Sequence, residues 1–229
     1  MRGLLGVAAA LAVVATLSGC ATRTPMAFED DGERLTATSK PVLLMTATIK
    51  NEYKAGYQPR LLVVNVEKPD AKEAADRLNF TLDGKAALAP TTEQAGTTYL
   101  LRLQVEPGRY EIRGLTSLVQ SFPINGFFFA PLHSTVEVKG PGVYYIGHVN
   151  AVVRERQGEE FRAGPVMPLV DQALVGASGG TFHVEIRDEF AKDEELFRSK
   201  FPALAGIKIE KVILPPFDRA KAQAWWEKN

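Results

Sequence analysis

Residues 98–105 alternate clearly. Tyr99, Leu101, Leu103 and Val105 lie on one face of an extended chain, and Arg102 and Gln104 lie on the other. A period of two belongs to a strand with one face in a core; a helix would scatter the same four side chains round its axis. The run ends in Glu106-Pro107-Gly108-Arg109, where proline presets the second turn position and glycine is free to take positive φ. Tyr110, Ile112 and Leu115 resume the apolar pattern, so the segment predicts a β-hairpin.

The same rhythm runs through most of the chain. Residues 42–49 and 61–66 are rich in β-branched side chains, and residues 80–82 lead into the tight-turn pair Asp83-Gly84. Residues 135–138 and 143–153 flank Gly140-Pro141-Gly142, and further strands are predicted at 162–169, 181–187 and 207–214. Residues 69–77 suit a short helix or a surface loop. One helix is predicted over 188–201, with acidic first turns that suit the helix dipole and Pro202 as its stop. Asp218 is placed to cap a short final helix that carries Trp225 and Trp226. Many short strands, no strand–helix–strand alternation and no internal repeat predict a mainly β fold. The expected form is an antiparallel β-sandwich over residues 41–214, with one late α-helix and a short C-terminal helix in the tail 215–229.

The first 19 residues read differently. Arg2 is the only charge before an apolar run over residues 4–17, and small residues then lead to Cys20, the pattern of an export leader. The run has about 14 residues, short of the roughly 20 that span a bilayer as a helix; an uncleaved anchor is the alternative. Leu17-Ser18-Gly19-Cys20 resembles the lipobox of bacterial lipoproteins. That resemblance implies cleavage before Cys20, lipid on its sulfur and new N-terminus, and a membrane held as partner through that lipid. Ala21 in place of the aspartate that often retains such proteins at the inner membrane implies an outer-membrane protein facing the periplasm.

Cys20 is the sole cysteine, so a lipidated chain folds with neither thiol nor disulfide and depends on burial alone. Removing 19 of 229 residues leaves 210, a length that buries roughly 70% of the unfolded chain's surface. With Arg2 removed, 26 basic residues face 27 acidic ones, a net charge of −1. That balance argues against a nucleic-acid partner and against adhesion to anionic lipid by charge. Residues 21–40 are polar and without apolar period, which predicts a flexible tether behind the lipidated Cys20 that the resemblance implies, together residues 20–40. The alternative lays part of this segment on the domain, with Met26 and Phe28 as anchors.

Residues 103–112, together with residues 136–147, resemble the strand–Pro-Gly–Tyr hairpins of small prealbumin-like or carboxypeptidase-regulatory-like sandwiches. The late helix resembles that of uncharacterised bacterial lipoproteins with this layout. Such domains are binding or structural accessories, so the resemblance implies no catalytic set; no cofactor or metal is expected, since the sequence carries no motif for either.

The candidate chemistry is sparse. Gly176-Ala177-Ser178-Gly179-Gly180 invites comparison with a serine-protease nucleophile loop, but the aspartate position is Ala177, and a hydroxyl needs an oriented base. A flexible turn explains it. His133, His148 and His183 are far apart and lack metal-ligand spacing, with His183 expected on a solvent face; Asp193, Glu194 and Glu195 read as a solvated helix start. Residues 122–132 (FPINGFFFAPL) are ambiguous, because alternation cannot bury Phe127, Phe128 and Phe129 on one face. They form either core or an interaction patch, as do Trp225 and Trp226.

The expected function is a membrane-anchored, non-catalytic binding or scaffolding module of the cell envelope, with an envelope protein or glycan as partner. Two alternatives stay open: an envelope hydrolase using Ser178 or a carboxylate pair not evident in the sequence, and a carrier holding a lipid or other apolar ligand between the sheets.

Overall fold

The computed structural model describes residues 21–90, 92, 95–121, 124–165 and 172–229. Leu17, Ser18, Gly19 and Cys20 lie outside them, as do residues 166–169 of one expected strand. Among the described residues, ten strands form two five-stranded sheets. The first has the order β1 (Thr22–Pro25), β4 (Arg77–Thr81), β3 (Arg60–Glu67), β6 (Gly108–Ser121), β7 (Ile124–Val138). In the second, β8 (Val143–Glu155) pairs with β2 (Val42–Asn51), which pairs with β5 (Thr97–Gln104). The other side of β8 takes β10 (Ile209–Lys211) and then β9 (Gly180–Arg187). Two helices complete the fold, α1 (Phe190–Lys200) and α2 (Arg219–Lys228).

The fold is mainly β, but the sheets are mixed. β1 is parallel to β4, and both β2 and β10 are parallel to β8. This corrects the antiparallel expectation, and the cause lies in the Pro-Gly turns. β5 belongs to one sheet and β6 to the other, so Glu106-Pro107-Gly108-Arg109 closes no hairpin; Gly140-Pro141-Gly142 likewise carries the chain from β7 in the first sheet to β8 in the second. A chain that changes sheet at a corner enters beside strands distant in sequence, and their relative direction is then free.

Both corners share the pattern X-Pro-Gly-X-Tyr. The Tyr110 hydroxyl donates to the Glu106 carbonyl at 3.0 Å, and the Tyr144 hydroxyl donates to the Gly140 carbonyl at 3.0 Å. Gly108 and Gly142 take φ of 152° and 149°, a region that side chains disfavour. Each tyrosine thus ties a strand start back to its own corner, at a net worth of about 0.5–1.5 kcal/mol per bond.

The alternation of β5 places Tyr99, Leu101 and Leu103 in the main core, opposite Tyr110, Ile112 and Leu115 of β6. A second core lies on the outer face of the β8 sheet. There Leu44, Leu100 and Tyr145 pack under Phe197 and Phe201 from α1 and its C-terminus. Arg102 points into this second core and is fully buried. Its Nε donates to Ala27 O at 2.8 Å, its Nη1 to Leu100 O at 2.8 Å and its Nη2 to Asp83, while Phe201 stacks on the guanidinium at 4.2 Å.

Exposed strand edges invite unwanted pairing and need cover. The segment expected as a tether covers one side of the sandwich. β1 extends the first sheet at β4, Ala27 N donates to Arg102 O on β5, and Met26, Ala27 and Phe28 are buried. The polar composition of residues 21–40 conceals these apolar anchors, and β1 begins two residues after Cys20. On the opposite side, residues 161–165 form no strand, in contrast to expectation; Ala163 instead bridges the two sheets by accepting from Phe129 N and donating to Gly180 O. The region expected as a short helix or loop over 69–77 contains a single 3₁₀ turn at Ala74–Asp76.

Candidate functional site

Helix α2 lies over the side bridged by Ala163, and its capping follows from sequence. Asp218 accepts from Lys221 N at 2.9 Å as the N-cap. Side chains on successive turns then bolt the helix to both sheets. Arg219 donates to Phe182 O on β9 at 2.8 Å, Lys221 to His133 O on β7, and Gln223 accepts from Phe161 N at 2.7 Å. This docking leaves Trp225 and Trp226 half-buried.

The tryptophans complete an aromatic cleft of about 280 Å³, with Phe129, Pro131, Phe161 and Arg162 among its walls. Trp225 packs on Phe129 at 5.3 Å and on the His133 ring at 4.9 Å between centroids. Arg113 and Arg156 lie over Trp225 and Trp226 at 5.5 and 5.9 Å. The Trp225–Phe129 pair is also a wall of a second, more polar recess of about 290 Å³, which contains Asn65, Asn79, Arg77 and Ala21. Ala21 is the residue next to Cys20. Ala21 and the aromatic cleft therefore share one ridge.

The three phenylalanines separate as alternation demands. Phe128 is in the core at 1% exposure, Phe127 is 43% exposed, and Phe129 is half-buried against Trp225. The segment is thus partly core and partly surface, and Phe128 cannot belong to an interaction patch. Phe127, Phe129, Trp225 and Trp226 can.

Glu160 holds this architecture together electrostatically. It binds Arg154 Nη1 at 2.8 Å and Arg219 Nη2 of α2 at 2.7 Å. Its carboxyl is pulled down from an ordinary 4.5 to about 2, chiefly by the Arg154 hydrogen bond, with the Gln157 amide and Arg219 assisting against burial. A carboxyl lowered in the folded state contributes its full stabilisation above the ordinary value and loses it as pH falls through the folded one. The α2 contact is therefore expected to loosen between pH 4.5 and 2. Both tryptophans of the chain lie on α2, so their emission should shift to the red over this window. Glu160→Gln should already show part of the shift at pH 7; a variant that titrates like the parent would remove Glu160 from this role.

The other candidates also find definite places. Ser178 is half-buried, and its carbonyl accepts from Arg162; no hydrogen bond joins its hydroxyl to a histidine among the described residues. His183 is exposed on β9, as expected. Asp193 is not part of a solvated helix start: it is fully buried under α1. Tyr145 donates to its Oδ2 at 2.6 Å, and His148 Nδ1 lies 3.1 Å from the same oxygen. Burial works to raise the Asp193 carboxyl, but hydrogen bonds from His148 and Tyr145 outweigh it and hold the group below the usual carboxylate range. Burial, reinforced by Asp193, pushes the Tyr145 phenol above its ordinary value. Sequence reasoning passed over this cluster because it joins residues 45 positions apart across a helix–sheet contact. The only local signal was an aspartate four positions after Glu189, on the same face of a helix.

Comparison with known proteins finds no matching family model, no matching curated protein and no matching solved structure.

Proposed function

We propose that the chain is a lipid-anchored, non-catalytic binding module of the bacterial cell envelope, and that the aromatic cleft at α2 is its recognition surface. One observation carries the reading: Trp225 and Phe129 form a wall common to the cleft and to the recess that contains Ala21. An acyl chain on Cys20 would hold that ridge at the membrane surface, since two residues of extended chain reach only about 7 Å. The cleft fits a single apolar side chain, and interface hot spots are enclosed aromatic sites of this kind. Arg113, Arg156 and Arg162 at its margin favour acidic neighbours on the partner. A membrane-attached envelope protein presenting an apolar side chain between carboxylates meets these conditions.

The test is a photo-crosslinking residue at the exposed position Phe127 in intact cells. A discrete protein adduct that disappears in the Trp225→Ala background is expected. Adducts to glycan or lipid alone, or a protein adduct indifferent to Trp225→Ala, would overturn the reading.

A further inference from the structure

We infer that His148, Glu189 and Asp193 form a binding site for a divalent transition-metal cation of the Zn²⁺ type, on the α1 side of the fold and independent of the aromatic cleft. Glu189 and Asp193 stand one helical turn apart at the start of α1, and His148 rises from β8 beneath them. One donor atom from each lies within 4.8 Å of the others. His148 Nδ1 is 3.1 and 3.3 Å from the two Asp193 oxygens and 3.5 Å from Glu189 Oε2. Two donors bound at Zn²⁺ distances on a tetrahedron stand about 3.3–3.4 Å apart. The distances from His148 to the two carboxylates therefore fit a shared ion.

The surroundings match what a metal-ligating imidazole requires. His148 Nε2 lies 3.0 Å from Thr48 Oγ1, which is 2.9 Å from Thr98 Oγ1. Donation of Nε2–H to Thr48 leaves the Nδ1 lone pair for the cation, the outer-shell arrangement that fixes a ligand's tautomer. Tyr145 orients Asp193 in the same manner. A second, separate observation points into the site. The Thr46 hydroxyl is fully buried and is the register neighbour of His148; it sits against Asp193 and helps to lower that carboxyl, but forms no hydrogen bond of ordinary geometry. A water in the fourth metal position would supply its partner.

Charge and donor type select the ion. Two carboxylates balance a dication, and a nitrogen–oxygen set with three protein ligands suits Zn²⁺ or Co²⁺; Ca²⁺ takes six to eight oxygens. The cation takes His148 with Nδ1 unprotonated, so a proton held on that nitrogen in the metal-free chain passes to solvent on binding. Lys192, now 3.2 Å from Glu189 Oε2 and largely exposed, swings away. Access runs through a cavity of about 240 Å³ lined by Thr98, His148, Lys192 and Leu196.

The experiment uses the full chain in detergent, stripped by chelation and titrated with Co²⁺ alone. A visible absorption band of four-coordinate Co²⁺ is expected, saturating at one equivalent and abolished by Zn²⁺. Glu189→Gln, at a half-buried position that a purely structural Asp193–His148 latch would not need, should weaken binding on the order of tenfold or more and leave the circular dichroism spectrum unchanged. His148→Asn should eliminate the band; if that variant does not fold, Glu189→Gln decides alone. No band in the parent chain, or an equal band in Glu189→Gln, would overturn the site.

Discussion

Asp83→Ala is expected to lower folding stability by about 3–5 kcal/mol, because it leaves the Arg102 guanidinium buried without its counter-charge. The side chain of Arg102 is fully enclosed and that of Asp83 is 6% exposed, so water cannot replace the missing carboxylate. Burial already pushes the Arg102 guanidinium down from its ordinary value, against the opposing charge of Asp83. A loss of this size is a large fraction of the 5–15 kcal/mol typical of a folded domain. The urea midpoint should fall accordingly. The double variant Arg102→Met with Asp83→Ala should recover part of it, since no charge then remains to be buried; the Ala27 and Leu100 carbonyls lose their donor and limit the recovery. A single variant within about 1 kcal/mol of the parent would show that Arg102 finds other compensation.

Cys20→Ser is expected to transfer the protein entirely from the membrane to the soluble envelope fraction. None of the helices among the described residues is long and apolar enough to cross a membrane, and the proposed lipid is the attachment that this variant removes. Lipid on both the sulfur and the new N-terminus would hold a protein far more firmly than the marginal grip of one chain. Cell fractionation reads the effect, and the intact mass of the parent chain reads the lipid. Retention of Cys20→Ser on membranes, with no acyl mass on the parent, would remove the lipid anchor from the proposed function. The anchor would also do more than tether. With β1 beginning at Thr22, the proposed anchor would hold the domain against the membrane in a restricted pose and bring its aromatic ridge to the surface with it.

Much of the fold was legible along the chain, and the failures share a cause. The alternation at Tyr99, Leu101, Leu103 placed β5 correctly, and Pro202 and Asp218 marked helix boundaries where the structure has them. The Pro-Gly turns were recognisable as turns, yet nothing local distinguishes a hairpin from a corner between sheets. Tyr110 and Tyr144 carry that distinction, through hydroxyl bonds to backbone four residues earlier. Of the aromatic candidates, residue spacing alone separates Phe128 from Phe127 and Phe129, but only α2 docking sets Trp225 against Phe129. Asp193 read as solvated because its helix start is acidic, and no pattern within α1 announces Tyr145 and His148 beneath it.

The sequence by itself determined where most of the strands and both helices lie and which face of β5 enters a core; the leader expected before Cys20 lies outside the described residues. These are local properties: side-chain alternation, capping and turn chemistry act within a few residues. Tertiary structure decided which sheet each strand joins, that β2 runs beside β8 in parallel, that residues 22–28 cover an edge, and that Arg102 and Asp193 are buried. Any strand can hydrogen-bond any other, so pairing is settled by which arrangement buries the most apolar surface and satisfies the most polar groups at once. That choice is a property of the whole chain.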